Sequence, residues 1–126
     1  MLPVEKIPPD NHLYRRVPND CYDALSGMCT EGAFLLRKEI NEEYLSVDWA
    51  ERADINVSCI DPKTKMKLKV AELGVQGVLD LGLAVDYKPS KRNPAHSSIS
   101  GDDLFDDVLG FMKASALVGI STMRFP

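Results

Sequence analysis

Histidine, cysteine and long apolar runs are all scarce in this 126-residue chain. Its two histidines are His12 and His96, its three cysteines are Cys21, Cys29 and Cys59, and no C-x-x-C occurs. A closed zinc site would need ligands drawn from distant parts of the chain, and no metal is expected. So sparse and odd a cysteine set argues against a disulfide scaffold and reads as small buried thiols in a reducing compartment. No window approaches the ~20 apolar residues that cross a bilayer. The beginning, MLPVEKIPPDN, is interrupted by Pro3, Pro8 and Pro9 and has no continuous apolar stretch of the secretory kind. A cytoplasmic protein with no membrane partner is therefore expected. Gly74, Gly77 and Gly82 do not form G-x-G-x-x-G, there is no P-loop, and Ser26 and Ser121 lack a nucleophile's context. No cofactor is expected. A net charge of −4 with only 7% aromatics argues against a general nucleic-acid binder.

What is present suits one α+β domain over residues 1–126. The apolar share of 44% and the charged share of 27% are those of an ordinary globular chain, long enough to bury a core without a staple. Residues 1–12 are expected to form an extended arm, since their prolines forbid regular helix. Leu13–Val17 reads as a short strand with mixed faces, suited to an edge or rim. Residues 21–32 read mostly as loop, 33–36 as a short buried strand and 44–47 as another strand. Asp48 with Glu51 imitates a capping box, so one helical turn is expected over 49–53. Residues 56–60 read as a strand that Asp61-Pro62 ends.

The stretch from Lys63 to Tyr87 has the strongest pattern. Thr64, Met66, Leu68 and Val70 alternate with Lys63, Lys65, Lys67 and Lys69, which is the two-residue period of a half-buried strand. Residues 75–81 suit a short helix closed by Gly82, and 83–87 a strand. Lys88 to Asn93 is a basic loop, Asn93-Pro94 a turn, and 96–100 a strand. The best helix runs from Asp102 to about Val118, with Leu104, Phe105, Val108, Leu109, Met112 and Ala116 as one apolar stripe. Its acidic start, Asp102, Asp103, Asp106 and Asp107, suits the positive end of the helix dipole. A mixed or antiparallel sheet packed against this C-terminal amphipathic helix is expected. Its core would hold Leu68, Val70, Leu79, Leu81, Leu83, Val85, Leu104, Phe105, Val108 and Met112. Residues 120–126 read as a tail.

Three segments, Leu13-Tyr14-Arg15-Arg16-Val17, Leu45-Ser46-Val47-Asp48 and Asn93-Pro94-Ala95-His96, occur in an order that resembles a group of small bacterial proteins with LYRR, SVD and NPAH segments. The literal match covers about a tenth of the chain. The resemblance implies a bacterial or phage setting and carries over no catalytic role. It draws attention to Arg15, Arg16, Asp48, Asn93 and His96 as candidate ligand-binding residues.

Two other readings concern chemistry. Four lysines on one strand face would form a straight cationic row. With Lys88, Lys91 and Arg92 they are a candidate anion site, although the same row also describes a solvated strand face. His96-Ser97-Ser98-Ile99 fits a loose H-x-[ST]-apolar pattern like that of the two-histidine phosphoesterases, but the second copy, at His12, has Tyr14 in the hydroxyl position. A turn held by Asn93, with His96 bonded to a carbonyl or carboxylate, is the favoured account. Two functions of different class follow. The first is a non-enzymatic interaction or accessory module, with a protein partner or a second copy of itself. The other acts on or binds a phosphate-bearing ligand through Arg15, Arg16, His96 and the basic loop.

Overall fold

A computed structural model describes residues 5–126. Its main feature is a six-stranded antiparallel sheet. In chain order the strands are β1 (His12–Val17), β4 (Leu45–Trp49), β5 (Lys69–Gly74), β6 (Ala84–Tyr87), β7 (His96–Ser100) and β8 (Thr122–Arg124), arranged across the sheet as β6-β7-β4-β1-β5-β8. A two-residue hairpin, β2 (Tyr22–Asp23) with β3 (Met28–Cys29), stands apart. Three α-helices complete the fold: α1 (Ile55–Ser58), α2 (Val75–Asp80) and α3 (Asp107–Ile120).

The two sheet faces differ in chemistry, as is usual for an antiparallel sheet covered on one side. Leu13, Val17, Leu45, Val47, Trp49, Ala71, Leu73 and Ile99 point to the covered face and are buried. Phe34, Val75, Val78, Leu83, Leu104, Ala114 and Leu117 close over them. On the other face the register sets Tyr14 opposite Asp48, Asp48 opposite His96, and Ser46 opposite Ser98. The helix predicted over 75–81 is α2, and Gly82 follows it at φ 80°, a left-handed conformation that glycine adopts without a Cβ penalty.

Several expectations are corrected. β1 is not an edge: it pairs with β4 on one side and β5 on the other. The capping-box role of Asp48 does not hold, because Asp48 lies inside β4 and a 3₁₀ turn, Ala50–Arg52, follows without a side-chain cap. Residues 33–36 are not a strand, and a 3₁₀ turn over Glu31–Phe34 buries Ala33 and Phe34. Residues 55–58 form α1, capped by the Asp54 side chain on Asn56 N at 2.9 Å. The tail contributes edge strand β8.

The alternating lysine strand does not form either. Asp61 Oδ1 accepts from Lys63 N and Thr64 N at 2.8 and 3.2 Å, and Lys65 turns to φ 61°. These local side-chain bonds offer the backbone a turn in place of a ladder, so the strand begins only at Lys69. Leu68 is consequently half-buried.

The C-terminal helix also starts later than expected. A 3₁₀ turn over Asp102–Phe105 precedes α3, whose N-cap is Asp106, accepting from Val108 N and Leu109 N at 3.0 and 2.8 Å. α3 packs inward through Gly110, Ala114 and Leu117. At Gly110 a Cβ would come within 3.0 Å of the Leu104 carbonyl oxygen, so a larger residue would require the preceding turn to give way. The large residues of the predicted stripe therefore face outward: Phe105 is 55% exposed, Val108 68% and Met112 60%, and Leu79 is exposed as well. Among the described residues no helix is long and apolar enough to cross a membrane.

Candidate functional site

The polar sheet face holds most of the residues singled out in the sequence. Asp48, projecting from the middle of β4, is 8% exposed. Its Oδ2 accepts from Ser58 Oγ at 2.6 Å and its Oδ1 from Asn93 Nδ2 at 2.8 Å. Asn93 Oδ1 accepts from Ala95 N at 3.1 Å, which holds the Asn-Pro turn. The turn delivers His96 to the first position of β7, opposite Asp48. His96 Nδ1 lies 2.9 Å from the Lys88 carbonyl, which can only accept, so that nitrogen carries the proton. In the neutral ring Nε2 is then an acceptor, and Ser46 Oγ stands 3.4 Å away to donate. Tyr44 meets the ring edge-on at 6.0 Å.

Tyr14, Arg16, Ser46, Asp48, Ser58, Asn93 and His96 line one small recess of about 30 Å³. The chain thus brings together four of the five candidates, Arg16, Asp48, Asn93 and His96. Arg15, one residue from Arg16, reaches a neighbouring cavity of about 220 Å³ that Arg16 also lines. Its Nε donates to the Ala33 carbonyl at 2.9 Å and its Nη1 to the Ser46 carbonyl at 2.8 Å. Burial pushes its guanidinium down to about 10.

The basic candidates are scattered. Lys63, Lys65 and Lys67 are exposed around the turn after Asp61, and Lys91 is exposed in the loop before Asn93. Lys69, in β5, places its Nζ 4.6 Å over the Tyr22 ring. They form no straight row. Arg92 lines a wider cleft of about 520 Å³ with Arg16, Arg52, Val57 and Asn93. In it Arg52 is paired with Glu5 and stacked 4.0 Å over Trp49.

Ser46, Ser58, Arg37 and Glu42 escaped the sequence reading. Ser58 gains its role only because α1 sets it against Asp48, and no local pattern announces that. Arg37 and Glu42 are five apart in a charged run and pair at 3.0 Å, a link visible only once the 38–40 turn brings them together. Burial works against ionisation of Glu42, but the Arg37 hydrogen bonds outweigh it and hold the carboxyl below its ordinary value.

At the far end of the same face His12 Nδ1 meets Glu51 Oε2 at 2.7 Å, and its backbone N meets Glu51 Oε1 at 2.8 Å. The Glu51 hydrogen bond raises the His12 pKa above 6.5. A raised histidine contributes stability that is complete below 6.5 and fades as pH climbs through its folded value. Both side chains are open to solvent, so the effect is under about 1 kcal/mol. The melting-temperature gap between the parent protein and His12→Gln is expected to narrow from pH 6 to pH 8. A gap that widens over that range contradicts the pairing.

Among the described residues no group of three or more His, Cys, Asp or Glu side chains is placed to hold a metal ion. Comparison of the chain with protein-family models, with curated proteins and with solved structures gave no match.

Proposed function

We propose that this protein is a non-enzymatic interaction module whose contact surface is the outward face of α3, and that the surface it meets is α3 of a second copy. The observation that carries this is the apolar character of α3 on both sides. Between Asp107 and Ile120 its one charged residue is Lys113, whose Nζ turns back to the Leu81 carbonyl and Asp103. Such a helix belongs in an interior, and among the described residues nothing covers one of its faces.

Phe105, Val108, Leu109, Phe111 and Met112 are 43–68% exposed. They present on the order of 500 Å² of apolar surface, as large as the biggest patch on an ordinary monomer. Two such faces bury about 1,000 Å² together, where specific interfaces begin. Ala116 and Gly119, further along the helix, are small, and a Cβ at Gly119 would meet nothing within 4 Å, which leaves room for a second helix to approach. The acidic start of α3 and the net charge of −4 oppose docking on an anionic lipid surface.

The polar face supports the same reading. Asp48 has both carboxylate oxygens, and His96 both ring nitrogens, engaged within the protein. These are the groups that would do acid–base work, and here they fasten β4, β7 and α1 to one another.

Sedimentation equilibrium tests the proposal. The parent chain is expected to sediment as a dimer. Met112→Glu is expected to sediment as the 14.0 kDa monomer and to remain folded, because the side chain is already 60% exposed within the monomer. A monomeric parent chain at high micromolar concentration overturns the reading, as does a Met112→Glu dimer of unchanged affinity.

A further inference from the structure

β1 and β4 are paired only at Leu13 with Trp49 and Tyr14 with Asp48. Beyond that point the strands separate, and Ser46 has no residue of β1 opposite it. Arg15 fills part of the opening, and its guanidinium takes the Ser46 carbonyl that the ladder leaves free. What remains is the cavity of about 220 Å³ lined by Arg15, Arg16, Arg37, Glu42, Ser46 and Asp61.

Charge in this cavity is unevenly matched. Its two carboxylates are committed elsewhere: Glu42 to the backbone and guanidinium of Arg37, and Asp61 to the backbone N–H groups of Lys63 and Thr64. Among the described residues no carboxylate comes within 4.0 Å of Arg15 or Arg16. Arg15 spends two of its five N–H donors on carbonyls and Arg16 one, on the Ser58 carbonyl at 3.2 Å. Arg15 and Arg16, consecutive in β1, therefore both border this cavity with donors to spare, and neither is held in an ion pair among the described residues. A part-buried guanidinium without a directly paired carboxylate keeps donors open, and a planar fork of donors is the geometry that holds a tetrahedral oxyanion by two bonds at once.

From this geometry we infer a phosphoryl-binding site in the gap between β1 and β4, with Arg15 and Arg16 as its two clamps. The cavity is below the roughly 300 Å³ at which sites for drug-sized molecules begin, so it admits the anionic group and little else. Arg16 also borders the wider cleft lined by Val57, Ile60, Pro62, Pro94 and Ala95, which gives the organic part of a phosphomonoester an apolar wall. Glu42 is the group that works against an anion here, and Arg37 partly neutralises it.

Calorimetric titration with two probes, inorganic phosphate and phenyl phosphate, tests the site. Saturable binding of at least one is expected. Phenyl phosphate binding at least about tenfold tighter points to an ester as the natural ligand, and equal affinities point to the free ion. Arg16→Gln is expected to weaken binding about tenfold or more, and Arg16→Lys to recover only part of it, because an ammonium keeps the charge and loses the fork. Glu42→Gln is expected to tighten binding. Arg15 also holds two backbone carbonyls, so Arg16 is the variant of choice, and its melting curve without ligand confirms that it folds. No saturable binding of either probe at millimolar concentration overturns the inference, and so does an Arg16→Gln protein that folds and binds as the parent does.

Discussion

Phe34→Ala is expected to remove about 3–5 kcal/mol of folding free energy, enough to leave a domain of this size marginal or unfolded. Phe34 is the largest fully buried side chain, at 0% exposure, and it sits on a 3₁₀ turn outside every regular element. It belongs to the cluster that joins Leu13 and Leu73 of the sheet to Leu117 of α3. Removing the ring leaves a hole between the sheet and its cover, and neighbours on different elements cannot collapse into it together. Urea unfolding of the two proteins gives the difference directly. A midpoint within error of the parent would mean that α3 and the sheet do not share this core.

Asp48→Ala is expected to cost about 2–4 kcal/mol, because it strands two donors that Asp48 now satisfies. Ser58 Oγ and Asn93 Nδ2 both end on its carboxylate, and through them α1 and the turn before β7 are tied to β4. Asp48→Asn is the sharper comparison. It keeps the shape and one acceptor, yet turns a nitrogen toward either Ser58 or Asn93, so it should fall between the parent and the alanine variant. Thermal unfolding of all three should rank them in that order. A fully stable Asp48→Ala protein would remove the structural account of this network and return its residues to candidacy for chemistry.

Much of the sheet was legible because its signals are local. The strands at Leu13–Val17, Leu45–Val47, Leu83–Tyr87 and His96–Ser100 are short apolar or alternating runs closed by Pro, Asn, Asp or Gly, and α2 ends at a glycine that its backbone requires. The lysine stretch misled because an alternating pattern describes side chains, whereas Asp61 and Thr64 bind nearby backbone and take the chain round a turn. Asp48 looks like a helix cap on paper, and Asp54 stands before a stretch that reads as strand. Only tertiary contacts decide that Asp48 serves the polar network while Asp54 caps α1. In α3 the apolar residues go all the way round, so spacing alone cannot choose the inward stripe. The structure packs the face with Gly110, Ala114 and Leu117 inward and leaves Val108, Phe111 and Met112 outward. Within the candidate site, Asn93-Pro94-Ala95-His96 could be read as a held turn from its own residues. Ser58 and Ser46, which complete it, depend on the register of strands far apart in sequence.

The outward face of α3 as the contact between two copies is the central claim, and a mixed-label NMR experiment tests it most directly. Equal amounts of chain carrying ¹³C-methyl methionine and unlabelled chain are combined, and only contacts between the two are recorded. The account predicts intermolecular contacts from the Met112 methyl to Val108, Leu109 or Phe111 of the other copy. Tumbling at the rate of a single 14.0 kDa chain with no such contacts, or intermolecular contacts confined to a methionine away from α3 such as Met66, would contradict it.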